Sequence, residues 1–161
     1  MSRVSAALCA LLLSVAAVGC NKAPDTQSDA QAIRDSEAAA VKDWQAKDAD
    51  KITSHFAPDA TLLVTDVPAM KGADAIKNGV GTMLKDPHLS LTFSPSVVVV
   101  AKDGDMAYTQ GYYVMTYSEP KTGATLIEKG KYVTVHQKQP DGSWKIVEDI
   151  ENADAPATPA A

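Results

Sequence analysis

Apolar residues in the first half of the chain recur at helical spacing, and those in the second half alternate. Ile33, Ala40, Val41 and Trp44 stand at i, i+7, i+8 and i+11 and share one face of a helix, with Asp29 as its expected N-cap. A short second helix is predicted from Asp48 to Phe56, because Ile52 and Phe56 lie four apart. A third follows Gly72, with Ile76, Val80, Met83 and Leu84 on one face and Pro87 beyond its end. Gly79 and Gly81 weaken that helix by roughly 1 kcal/mol each relative to alanine.

Strand patterning then takes over. Thr61 to Val64 reads as a short strand. Leu89, Leu91 and Phe93 alternate with Ser90, Thr92 and Ser94, which predicts a half-buried strand. Pro95 predicts a bulge or an edge before Val97 to Ala101 resumes, since proline has no donor for the ladder. Turns are expected at Lys102–Asp105, at Glu119–Ala124 and at Gln139–Ser143. They separate long strands at Met106–Tyr117, Leu126–Gln137 and Trp144–Glu151. Helices first and an antiparallel meander after them predict an α+β domain with its helices on one sheet face.

The N-terminus has a different character. Val4 to Val18 is apolar apart from Ser5 and Ser14, follows Arg3, and is shorter than the roughly 20 residues of a membrane span. It reads as a signal segment over residues 1–19. Its end, AAVGC, resembles a bacterial lipobox with Ala17 in place of the more usual Leu, which implies lipid attachment at Cys20. A plain secretory signal is the other reading. Cys9 would leave with the leader, so Cys20 is the single thiol left and no intramolecular disulfide can form. Asn21 after the cysteine implies an outer-membrane, periplasm-facing location by resemblance to Gram-negative sorting. Residues 20–28 read as a tether, 29–152 as the domain, and 153–161, rich in Pro and Ala, as a disordered tail. The net charge of −5 and the lack of a basic stripe exclude nucleic acid as a natural partner.

Four stretches carry a resemblance to a known family: VKDWQAKDADKITSHFAPDATLL, MKGADAI, GDMAYTQGYY and GKYVTVHQKQPDGSWKIVEDIEN. Together they resemble the NTF2-like superfamily, and more narrowly its DUF4440 and SnoaL-like members. Glu151 stands where that pattern commonly has an aromatic residue. The resemblance implies a cone, a curved mixed or antiparallel sheet wrapped round the N-terminal helices. It also implies an apolar cavity at the wide end and a homodimer through the outer sheet face.

The same resemblance includes ketosteroid isomerase, whose chemistry needs an Asp base, a Tyr and a neutral acid in the cavity. By register these fall on Val64, on Ala40 and near Thr134 and Val135, none of which can serve. Asp66 and Asp149 remain as weak catalytic candidates, Asp66 as a displaced base or a solvated turn residue. On an unbulged strand Glu148 shares a face with Trp144, Ile146 and Ile150, pointing toward the cavity mouth. Asp149 and Glu151 take the opposite face, and Asp149 pairs with Lys131 or Lys129 across the hairpin. Trp44, Tyr113, Tyr132, Asp149 and Asn152 are the candidate ligand-binding residues, each with a plain packing or pairing role as the alternative. His55, His88 and His136 lack ligand spacing and read as surface or loop residues, so no metal is expected, and no organic cofactor is implied.

The function expected from these residues is a lipid-anchored module that binds a small apolar or amphipathic molecule, or a partner protein, without catalysis. The alternative is an isomerase-like or SnoaL-like enzyme acting on a small hydrophobic substrate.

Overall fold

A computed structural model describes residues 24–160. The signal segment and Cys20 lie outside the described residues. Helix α1 spans Thr26–Gln45. Its N-cap is Asp25, whose side chain accepts from the Ser28 N–H at 3.1 Å, so the end of the expected tether is helical. Asp29, expected to cap the helix, sits inside the first turn instead. Its buried carboxylate accepts from Lys138 Nζ at 2.6 Å and from Trp144 Nε1 at 3.3 Å, fastening the helix start to the far end of the sheet.

Two further helices follow, α2 over Ala49–Ser54 and α3 over Ala73–Met83, separated by β1 over Phe56–Leu63 and β2 over Met70–Lys71. Strand β1 starts five residues earlier than the local pattern predicts, because β6 supplies a parallel partner that no local signal reveals. Strands β3 (Ser90–Val100), β4 (Met106–Ser118), β5 (Thr125–Lys138) and β6 (Trp144–Ala153) form the meander. The sheet order is β2-β1-β6-β5-β4-β3, antiparallel except between β1 and β6. The bulge expected at Pro95 is present: the register with β4 shifts between Pro95 and Val97. The fold is therefore α+β, with N-terminal helices on a curved, open, mixed sheet.

The tail carries a short strand where its composition predicts disorder. β7, Thr158–Pro159, pairs with Leu126 and Ile127 of β5, and the Ala160 N–H donates to Thr125 O at 2.9 Å. The start of β5 pairs with β4 on one side only, since β6 reaches no further than Gly130, and even a Pro/Ala segment can pair with the edge left open.

Three groups of buried side chains surround the hollow of the sheet. Ile52, Ala57, Ala60, Leu62, Ile76 and Val80 join α2 and α3 to β1. Leu89, Leu91, Tyr113 and Met115 pack under Trp44. Ile33, Ala107 and Trp144 close the narrow end. Trp44 touches the first two groups, so the tip of α1 divides the core and leaves space beneath it. No described helix is long and apolar enough to cross a membrane.

Candidate functional site

The space under α1 is a cavity of about 60 Å³, room for about four to six water-sized groups. Its wall is partly apolar: Ala40, Trp44, Ile52, Phe56, Leu62, Leu91, Phe93 and Ile146. The rest is ionisable or polar. Glu37, His55, Tyr113, Tyr132, Thr134, His136, Asp149 and Glu151 all line it. The cavity surface is mostly apolar, as the resemblance implies, but these ionisable groups are set into it.

Glu37 comes from α1. It lies four residues after Ile33 and three before Ala40, on the stripe that the helix buries, and is only 5% exposed. Its Oε2 accepts from the Tyr132 hydroxyl at 2.8 Å. Its Oε1 has no hydrogen-bond partner among the described residues, and His136 Nε2 stands 3.6 Å away. His136 is 2% exposed, contrary to its reading as a surface residue. It lies two residues beyond Thr134 and four beyond Tyr132 on the inward face of β5, and contacts Thr109 Oγ1 at 3.4 Å. His55 ends α2 and bridges Asp43 at 2.8 Å and Ser36 at 3.4 Å at the cavity edge. His88 bonds Ser118 on the surface, as expected.

A cross-strand exchange sets the two tyrosines. Tyr132 lies opposite Gly111, and Gly130 lies opposite Tyr113. A Cβ on Gly111 would stand 2.6 Å from the Tyr132 ring, and one on Gly130 would strike the Tyr113 ring. Each glycine thus lets the facing ring lie flat along the sheet floor. Phe93 meets Tyr132 edge-on, with ring centroids 5.9 Å apart and an interplanar angle of 81°. The Tyr113 hydroxyl donates to Glu128 at 2.7 Å, and Tyr117 reaches the other oxygen of Glu128 at 3.3 Å. Burial and these carboxylates push both cavity tyrosines far above the usual phenol range, so both hydroxyls stay protonated donors.

The C-terminal carboxyls depend on a bulge. On β5, Val135 pairs with Glu148 while His136 pairs with Ile146, so Val147 is an extra residue in β6. The bulge resets the alternation. Trp144 and Ile146 face inward, and so do Asp149 and Glu151. Glu148 is turned to the outer face instead of the cavity mouth, and Asn152, expected to bind ligand, is exposed and lines nothing. Asp149 pairs with neither Lys131 nor Lys129. It lies opposite Thr134, whose hydroxyl donates to it at 2.7 Å, while Lys131 bonds Asp154 at 2.6 Å. The strand register that assigns the isomerase acid to Thr134 thus leads to a carboxyl one strand over. Asp66 is exposed in a turn with φ +60° and takes no part.

Burial pushes the Asp149 carboxyl up to about 6, aided by the charge of Glu37 and opposed by the Thr134 hydrogen bond and His136. Burial also pushes Glu151 up to about 8, with Asp149 and Glu128 adding repulsion. Near neutral pH the two carboxyls therefore hold about one proton between them. Trp44, Tyr113 and Tyr132 line the cavity as proposed from sequence, and so does Asp149, a proposed ligand residue, although the strand alternation read from sequence put it on the opposite face. Glu37, His136 and His55 are additions to the lining, and Glu128 is reached through the Tyr113 hydroxyl. A Glu in the middle of an apolar helical stripe, and a His in phase with Tyr132 and Thr134, were the available signals. No group of three or more His, Cys, Asp or Glu among the described residues is arranged to hold a metal ion.

A family model described as a SnoaL-like domain matches residues 25–148. No curated protein matches the chain in sequence. Solved structures with the same fold include a ketosteroid isomerase-like protein from Erwinia carotovora atroseptica, at 17% identity and TM-score 0.66, covering 78% of this chain and 96% of that one. An NTF2-like protein with a cystatin-like fold from Novosphingobium aromaticivorans aligns at 18% identity and TM-score 0.67, over 81% of this chain and 84% of its own. A Salmonella enterica serovar Typhimurium NTF2-like superfamily protein aligns at 18% identity and TM-score 0.67, over 80% and 93% respectively. At such identities the likeness speaks for the fold alone.

Proposed function

Because the chain belongs to the SnoaL-like domain family, whose model spans residues 25–148, we propose that its cavity carries out general acid–base chemistry on a small substrate. The observation that carries the reading is the pair of inward carboxyls on one strand face, Asp149 held near 6 and Glu151 near 8. Two carboxyls driven apart by their surroundings are how one site supplies both a base and an acid at neutral pH. Asp149, oriented by Thr134, takes a proton from a C–H or O–H of the substrate. Glu151 returns a proton to the oxygen on which charge develops or which departs. Glu37 faces these two carboxyls from α1, held by Tyr132, which lies beside Glu151 on the sheet, and His136 stands 3.6 Å from Glu37. Isomerisation, dehydration and ring closure of a small carbonyl or hydroxyl compound all need only these steps.

The test is deuterium exchange at the carbon beside the carbonyl of small ketones such as cyclopentanone, followed by NMR in D2O. Wild-type protein should accelerate exchange, and Asp149→Asn should lower the acceleration by about 10²–10⁴-fold, the usual contribution of a positioned base. Equal exchange by both proteins refutes the proposal. Binding without turnover is the second reading, favoured by the apolar wall of Trp44, Ile52, Leu91, Phe93 and Ile146. It predicts saturable ligand uptake and no exchange.

The sequence supports two further elements of this proposal. The lipobox-like Ala17–Cys20 supports lipid attachment at Cys20, and Asn21 after it supports a periplasm-facing position on the outer membrane. Palmitate labelling that survives Cys20→Ser would dismiss the anchor. A homodimer through the outer sheet face is supported by the exposed Val99, Tyr108, Tyr112, Val114, Val133 and Ile150.

A further inference from the structure

We propose that the molecule taken up by this cavity carries a basic nitrogen, and that Glu37 is its counter-ion. The inference deepens the reading of the cavity as the reacting site and names the chemical class of what enters it.

Hydrogen-bond accounting supports it first. Three carboxyls line the cavity, Glu37 from α1 and Asp149 and Glu151 from β6, and Glu128 of β5 accepts from the cavity-lining Tyr113. The hydroxyls facing them are already committed as donors. Tyr132 donates to Glu37, Tyr113 and Tyr117 to Glu128, and Thr134 to Asp149. Glu37 Oε1 is left over. It belongs to a side chain 5% exposed, has no hydrogen-bond partner among the described residues, and sees His136 Nε2 only at 3.6 Å. Buried carboxylate oxygens are almost always satisfied, so an unfilled one at a cavity wall marks the place of a donor that arrives from outside.

Charge supports it independently. Among the described residues no Lys or Arg lines the cavity, and Arg34 lines an adjoining exposed pocket with Glu37. The cavity's own cationic capacity is limited to His136 and to His55, and His55 is already bonded to Asp43. Asp149 and Glu151 titrate above the usual carboxylate range because of burial and because of their neighbours Glu37, Asp149 and Glu128. An ammonium group relieves that repulsion, whereas a carboxylate adds to it. Trp44, Phe56 and Phe93 add aromatic faces, which attract cations in desolvated surroundings. The free volume of about 60 Å³ suits a group of about four to six heavy atoms at the reacting end.

The probes are n-butylamine, n-butanol and butyrate, of similar shape and differing in charge. Each is titrated into the full chain at pH 7, followed by NMR of the cavity side chains and by calorimetry in two buffers of different ionisation enthalpy. Butylamine should bind at least tenfold more tightly than butanol, and butyrate should not bind. Amine uptake should release protons to the buffer as the raised carboxyls ionise. Glu37→Gln should cut the preference for amine over alcohol to threefold or less while leaving butanol binding in place. Should that variant fail to fold, Asp149→Asn, which keeps an acceptor for Thr134, should reduce the preference and the proton release. Butanol or butyrate binding as well as butylamine overturns the inference, as does an unaltered amine preference in the folded variant, or no binding of any probe. Ketone exchange reads the base separately. Intact exchange without amine preference removes this inference alone, and amine preference without exchange removes the catalytic reading alone.

Discussion

Replacing Asp149 by asparagine removes one ionisable group and nearly keeps its shape. The Asn Oδ1 still accepts from Thr134, which donates to Asp149 at 2.7 Å in the native protein, so packing and that hydrogen bond survive. What changes is the cost of charge. The folded carboxyl titrates at about 6, against an ordinary value of 3.8. At about 1.36 kcal/mol per pH unit, keeping Asp149 ionised in the folded state costs about 3 kcal/mol. The sign follows from proton counts. Below pH 4 both folded and unfolded chains hold the proton, and Asp149 imposes no cost. Between pH 4 and 6 the unfolded chain ionises first, so stability falls as pH rises and levels off above the folded value. Asp149→Asn should therefore match wild type near pH 4 and exceed it by about 2–3 kcal/mol at pH 7.5, provided the folded chain withstands the acid end. Its Glu151 should also titrate lower, because Asp149 contributes to the raised value near 8. Urea unfolding at a series of pH values measures both effects. A variant less stable than wild type at pH 7.5, or a difference that does not change with pH, refutes the account of Asp149 as a desolvated, repelled carboxylate.

Two other outcomes follow from the same geometry. Gly111→Ala should lower stability by about 1–3 kcal/mol and change the Tyr132 fluorescence or NMR signature, since the added methyl meets the Ser94 carbonyl and the Tyr132 ring; an unchanged Tyr132 environment would contradict the flat placement of the ring. Tyr112→Glu, at a side chain 63% exposed on the outer face, should leave folding intact and convert a dimer to a monomer in light scattering, whereas a wild-type protein already monomeric at high concentration would dismiss that interface.

Local pattern was enough for most of the scaffold. Helical spacing located α1 and α3, the Pro95 bulge followed from a missing donor, and turn chemistry separated the four long strands. Tyr113 was legible as an inward tyrosine because Ala107, Thr109, Gly111 and Met115 share its face, and all are buried. Cap and edge positions were less legible. Asp25 and Asp29 are both good N-cap types, and only the contact of Asp29 with Lys138 and Trp144 separates them.

By itself, then, the sequence determined the order of elements, the family likeness, the charge class and the alternation that puts Tyr113 and Tyr132 on the inner face. Those depend on local periodicity, which is written residue by residue. The tertiary structure alone decided the chemistry of the cavity. One extra residue, Val147, turns Asp149 and Glu151 inward and Glu148 out, and a bulge of this kind is a matter of pairing with β1 and β5. Glu37 and His136 meet across 99 positions of chain, so their joint role is invisible until α1 lies over β5. Burial and mutual repulsion, which set the carboxyls apart, are properties of the assembled space and of no single stretch of chain.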